Sequence, residues 1–168
     1  MQDFDDIYKE YFNTVYKFLL YLSHNNVELS EDLAQETFYK AIVKIDSFSQ
    51  KCKLSVWLCQ IAKNLYYDYY SKHKKFRQLE KNISDDVIVN ELFEDDLIAD
   101  IEKNILYDKI QKLDESVRQL IYLRVSGNLS FKEIGIILNK TEVWARVTYY
   151  REKEKLKEDF NNGKKLWM

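Results

Sequence analysis

Across 168 residues this chain contains no proline, and glycine stands only at Gly127, Gly135 and Gly163. Tight hairpins and turns draw heavily on both residues, so a sheet-rich fold would lack its turn chemistry. Helices joined by short polar connections need little of either. The apolar fraction, 46%, suffices to build cores, and 13 Tyr and 9 Phe supply much of it. The expected fold class is therefore all-α. No apolar run reaches the ~20 residues of a membrane span. The opening MQDFDDIYKE is acidic and lacks a secretory-signal pattern, which points to the cytoplasm.

Ile7, Tyr11, Phe12, Val15, Phe18, Leu19 and Leu22 recur at helical spacing and predict a first helix. The stretch SHNNVELS breaks it. Ser30 is the expected N-cap of a second helix, with Glu31 and Asp32 at its positive end, running to about Ile45. At about 100° per residue, Asp32, Gln35, Glu36 and Tyr39 share one stripe, opposite Ala34, Thr37, Phe38, Ala41 and Ile45. These letters alone favour an ordinary solvated face over an acidic docking surface. DSFSQKCK reads as a polar loop. A third helix follows from about Leu54 to Lys72, with Leu54, Leu58, Ile61, Leu65 and Tyr69 inward. Trp57, Asn64, Tyr67 and Asp68 fall largely off that stripe, among Lys53, Lys63 and Lys72. Aromatics and an amide beside bases suit unstacked nucleic-acid bases. They equally suit core packing for Trp57 and a local bond for Asn64.

Charge then switches. From Lys51 to Arg77 there are seven bases and one acid, Asp68; from Glu80 to Glu102 there are nine acids and one base, Lys81. Such a shift marks a boundary. The expected organisation is a first helical domain at 1–78, an acidic linker at 79–98 and a second helical domain at 99–168.

In the second domain a helix spans Ile101 to Leu113. Asp114 then caps ESVRQLIYLRVSG, which ends at Gly127, expected as a left-handed stop. Ser130 and Glu133 form a capping box for a short helix from about Phe131 to Leu138. Asn139 sits where the turn calls for positive φ, Thr141 caps the next helix, which runs to about Asp159, and Gly135 is small where the two helices approach. This is helix-turn-helix spacing. Its second helix offers Thr141, Glu142, Trp144, Arg146, Val147, Thr148, Tyr150 and Arg151. Arg146 suits guanine or phosphate, and Trp144 and Tyr149 are expected to be partly core.

Cys52 and Cys59 match no zinc spacing, and His24 and His73 do not complete a site, so no metal and no cofactor are expected, and the thiols read as reduced rather than as a redox pair. No glycine-rich phosphate loop and no Ser/His/Asp context is present, which argues against an enzyme and against a small-molecule substrate.

Taken together, SEDLAQETFYKAIVKI, WLCQIAKNLYYDYYSK and LDESVRQLIYLRVSGNLSFKEIGIILNKTE, in this order, resemble the bacterial RNA polymerase sigma factors of the small two-domain extracytoplasmic-function (ECF) type, over residues 5–72 and 101–158. The resemblance implies core RNA polymerase and promoter DNA as partners. It implies that Asp32, Gln35, Glu36 and Tyr39 dock on the polymerase clamp. It places Ser47, Phe48, Lys53, Trp57, Lys63, Asn64, Tyr67 and Asp68 at the −10 element, the loop from Ser47 to Lys53 holding a flipped base. Thr141, Glu142, Trp144, Arg146, Thr148, Tyr150 and Arg151 then face the −35 element. It further implies an anti-sigma factor, often membrane-bound in that family. The chain departs from the pattern at Ser71 and Thr148, where a base is frequent, at Val143, where a small residue is frequent, and in its aromatic second-domain helix.

The net charge of −2 is low for a protein that holds duplex DNA alone. It fits one that borrows electrostatic affinity from polymerase, with Asp85, Asp86, Asp95 and Asp96 of the linker mimicking nucleic-acid charge in a basic channel. The alternative is a stand-alone helix-turn-helix transcriptional regulator, which would leave EDLAQETF without a role and shows no dimer seam. A protein that merely sequesters a partner is the third reading.

Overall fold

The computed structural model of the protein describes residues 3–73, 100–125 and 127–166. It divides into two compact units, Met1–Asn82 and Ile83–Met168. The described residues are helical and irregular, with no strand among them. The acidic stretch expected as a linker, 79–98, and its Asp85, Asp86, Asp95 and Asp96 lie outside the described residues.

The first unit is a bundle of α1 (Phe4–Leu22), α2 (Val27–Lys44) and α3 (Leu54–Lys72), each packed on the other two. Val15, Phe18 and Leu19 of α1 meet Leu33, Ala34, Phe38 and Ala41 of α2 and Val56, Leu58, Ala62 and Leu65 of α3, all buried. Phe38 anchors one end, where the rings of Tyr8 and Phe12 lie 4.9 and 6.2 Å away. Such ring contacts add to the area they bury.

The α1–α2 turn departs from the sequence expectation. The N-cap of α2 is Asn26, whose side chain accepts from the Leu29 N–H at 3.1 Å. Ser30, expected at that position, lies inside the first turn and is fully buried. Its hydroxyl donates to the Asn26 carbonyl at 2.7 Å and sits 2.8 Å from the Ser23 hydroxyl. Asn26 is as good a cap as serine, and His24 and Asn25 at φ 55° and 63° bring the chain round sooner. The inner stripe of α3 is also rotated. Leu58 and Leu65 are buried as expected, but Val56, Cys59, Ala62, Lys63 and Tyr66 join them, while Leu54, Ile61 and Tyr69 are only half-buried. Packing against two neighbours at once widens the buried face beyond a single apolar stripe.

The second unit contains α4 (Asp100–Gln111), α5 (Glu115–Val125), α6 (Phe131–Leu138) and α7 (Glu142–Leu166). Leu106, Ile110, Leu120, Ile121, Leu123, Ile134, Ile137, Ala145 and Leu156 form its core. Lys109 pairs with Asp159 at 2.8 Å and ties α4 to α7. The end of α5 also corrects the sequence reading. Gly127 is not left-handed; Asn128, at φ 49°, takes that conformation. Glycine is needed at 127 for closeness, because a Cβ there would lie 2.6 Å from the Leu123 carbonyl oxygen. The Leu129 N–H reaches that same oxygen at 3.2 Å. Arg124 completes the turn, donating to the Leu129 carbonyl at 2.8 Å and lying over the Phe131 ring.

The helix-turn-helix expectation is met in detail. Ser130 and Glu133 form the reciprocal capping box, at 3.2 and 2.8 Å. Asn139 is left-handed at φ 55°. The Thr141 hydroxyl accepts from the Trp144 N–H at 3.0 Å. A Cβ on Gly135 would stand 2.7 Å from the Lys140 carbonyl oxygen, so only glycine lets α6 come this close to the start of α7. α7 itself runs to Leu166, beyond the expected end near Asp159.

Candidate functional site

Three outward faces carry the candidate residues. On α2 the inward side of Ala34, Thr37, Phe38 and Ala41 holds the helix on the bundle, and the Thr37 hydroxyl is satisfied by the Leu33 carbonyl at 2.7 Å. Asp32, Gln35, Glu36 and Tyr39 are all exposed on the far side, Tyr39 by 67%. Glu36 pairs with Lys40 at 3.5 Å. The stripe does not end at Tyr39. Ile42 and Val43 continue it, 45% and 66% exposed, so the face grades from acids and an amide to apolar side chains. Sequence reasoning passed over Ile42 and Val43, although their spacing from Tyr39 places them on the same stripe.

The second face belongs to α3 and the loop before it. Asn64 and Asp68 are exposed, and Trp57 and Tyr67 are half-exposed beside them. With Lys53 and Ser71, these positions recur at helical spacing along one side. Phe48 packs on Trp57, ring centres 4.9 Å apart, which fixes the loop against the helix. The chain passes through Gln50 at φ 55°, a costly conformation for a side chain of this type. The Ser47 hydroxyl is engaged with the Lys44 carbonyl at 2.6 Å. Lys63 does not join this face. It lies about a quarter-turn away and is buried, 8% exposed, and desolvation lowers its pKa.

Cys59 is buried on the inner side of α3, where burial pushes its thiol up to about 12; Cys52 is half-buried in the loop. A thiol so raised is a poor nucleophile.

The third face is on α7. Glu142, Arg146, Tyr150 and Arg151 are exposed, and Glu142 and Arg146 form an ion pair one turn apart. Trp144 is half-buried with the Lys140 amine over its ring at 5.4 Å, and Tyr149 is buried, as expected for side chains shared with the core. Thr148 is buried as well, 3% exposed, and leaves the outward set. It falls on the Ala145, Tyr149 and Glu152 side of the helix, which packs inward. Glu152 is held there by Arg151 at 3.1 Å and Lys155 at 3.3 Å. Val143 and Val147 occupy the centre of the outward face, 63% and 56% exposed.

No helix among the described residues is long and apolar enough to cross a membrane. Among those same residues, no group of three or more His, Cys, Asp and Glu side chains is placed to hold a metal ion.

This geometry agrees with what the chain is similar to. Residues 7–76 match the family described as Sigma-70 region 2. The chain is 35% identical over 163 residues to the ECF RNA polymerase sigma factor SigM of Bacillus subtilis, covering 95% of this chain and 96% of that protein. It is 32% identical over 169 residues to SigW of the same organism, covering 95% and 88%. The fold is that of the sigma factor RpoE from Bartonella quintana, solved in complex with the anti-sigma factor NepR. The TM-score is 0.67 at 22% identity, over 96% of this chain and 98% of that one. Two helical units, the second with a helix-turn-helix, and identity that runs the length of SigM show that this chain belongs to the ECF family of RNA polymerase sigma factors.

Proposed function

We propose that this sigma factor divides its work among the three faces. The outward stripe of α2 docks on core RNA polymerase, the loop and outer side of α3 receive the −10 element as it melts, and α7 enters the major groove at −35. The observation that carries the reading is the α2 stripe. Asp32, Gln35 and Glu36 are set on a rigid, packed helix with Tyr39 beside them, all exposed. Carboxylates and an amide so held form oriented, charge-assisted bonds with arginines of a basic partner surface. They repel phosphate, so this face suits polymerase and not DNA.

On α3, Trp57 braced by Phe48 supplies a stacking surface, and Asn64 supplies donor and acceptor beside it. Capture of unstacked bases on such a surface stabilises an opened duplex. The polymerase carries the catalysis, and the sigma factor acts in the cytoplasm without a cofactor or small-molecule substrate. The complex of RpoE with NepR supports an anti-sigma partner for this chain too.

The test is transcription in vitro with bacterial core polymerase and a promoter library, comparing the protein with a Gln35→Ala, Glu36→Ala double variant. Specific transcripts that require the protein and weaken in the variant are expected. Tight duplex binding by the protein alone, without polymerase binding, would favour the stand-alone regulator instead.

A further inference from the structure

The outward face of α7 is not the polar surface that a purely hydrogen-bonding reader would present. Thr148 is buried, the Thr141 hydroxyl caps the helix by accepting from the Trp144 N–H, Trp144 is half-covered, and Glu142 and Arg146 hold each other. What stands at the centre of the face is Val143 and Val147, one turn apart, followed by Tyr150, 52% exposed and braced by the Phe131 ring at 5.8 Å. Exposed β-branched residues do not help a helix form, so helix propensity does not account for this pair. Valine in a helix holds essentially one χ1 rotamer, so the methyl array is rigid before anything binds.

We infer that Val143 and Val147 are specificity-determining residues of the −35 contact and read the 5-methyl groups of thymines in the major groove. The inference rests on the sigma-factor reading of α7 and deepens it. In the major groove the thymine methyl is the distinctive apolar group on a base-pair edge. It matches a side chain with no hydrogen-bonding group. Bases flank the pair: Arg151 is exposed on the same side, and Lys140 and Arg146 stand near the N-terminal end. That is the charge arrangement of a helix whose rim meets phosphates while its centre meets base edges. The two valines lie about 6 Å apart along the helix axis, or about two base-pair steps, so the thymines they meet are near neighbours in the element. Glu142, paired with Arg146, stands at the margin of this face.

The experiment uses the holoenzyme, full chain plus core polymerase. A promoter is first selected from a library randomised at −35. It is then remade with deoxyuridine for each −35 thymidine, a change that removes only the methyl group. Initiation by the unmodified protein should fall about fourfold for each contacted methyl, the worth of one buried methylene. The Val143→Ala, Val147→Ala variant keeps its helix, since alanine is the stronger former. It should initiate less on the thymidine template and equally on both templates. Equal initiation by the unmodified protein on both templates would overturn the inference and leave the valines as a protein-docking patch. So would a double variant with the unmodified protein's template ratio. Absence of any promoter-specific transcript would instead overturn the sigma-factor reading of α7 on which it rests.

Discussion

α2 and α7 each bury one side in a small helical unit and turn the other outward, yet the two outward faces differ in chemistry. The α2 stripe begins with Asp32, Gln35 and Glu36 and ends with Tyr39, Ile42 and Val43. The α7 stripe sets Val143, Val147 and Tyr150 among Arg146 and Arg151. Both contain exposed apolar side chains, so exposure of hydrophobic surface does not tell them apart. The sign of the surrounding charge does. Carboxylates beside an apolar patch exclude phosphate and suit a basic protein surface, whereas guanidinium groups beside one suit a groove walled by phosphates. On the function proposed above, one scaffold type serves two kinds of partner through the residues at its rim.

That contrast breaks most readily at Gly135. In Gly135→Ala the new Cβ meets the Lys140 carbonyl oxygen at 2.7 Å, backbone that has little room to yield. Overpacking of this kind costs about 1–3 kcal/mol. The variant should melt earlier by circular dichroism and lose promoter-specific initiation, while binding to core polymerase through α2 persists. Loss of both together would mean that the two faces do not act separately. The converse variant, Gln35→Ala with Glu36→Ala, should weaken core binding about thirtyfold, the effect of the roughly 2 kcal/mol at the low end of the range for truncating one side of a charged interface. Titration at rising salt should narrow its gap from the unmodified protein, because the missing contacts are screened. A gap that salt leaves unchanged would assign the face to packing by Tyr39, Ile42 and Val43.

Ser130→Ala removes the cap bond to the Glu133 N–H and should cost about 1 kcal/mol of stability in chemical denaturation. Its effect on initiation should follow that loss and not exceed it. The smallest effect concerns α3. Burial raises the Cys59 thiol to about 12, above its value in the unfolded chain, near 8.5. The folded state therefore keeps the proton longer. The stabilisation is full below pH ~8.5 and declines as pH rises from there toward about 12. At neutral pH Cys52 should react with a thiol reagent well before Cys59; equal rates would show that the α3 packing opens readily.

Much of this architecture was legible beforehand because it depends on neighbours along the chain. A capping box needs only Ser130 and Glu133 at the right spacing, and the structure forms it. Asn139 takes positive φ as its residue type suggested. The opposition of Asp32, Gln35, Glu36 and Tyr39 to Ala34, Thr37, Phe38 and Ala41 follows from helical period alone. Errors arose where two candidates competed or where packing set the outcome. Ser30 and Asn26 both suit a cap, and the positive φ at His24 and Asn25 decided for Asn26. Gly127 looked like a left-handed stop, but Asn128 takes that conformation and Gly127 serves the close approach to Leu123.

By itself, the sequence determined an all-helical chain in two units, the second with a helix-turn-helix, because absent prolines, scarce glycines, helical periodicity and caps are local or compositional properties. The tertiary structure decided which side chains of each helix face out. Lys63 and Thr148 were expected among the DNA-facing residues, yet both are buried, while Val143, which carried no expected role, stands in solvent beside Val147. Helical period fixes the angles between residues on one helix, but the direction of the neighbouring helices fixes which angle is inside.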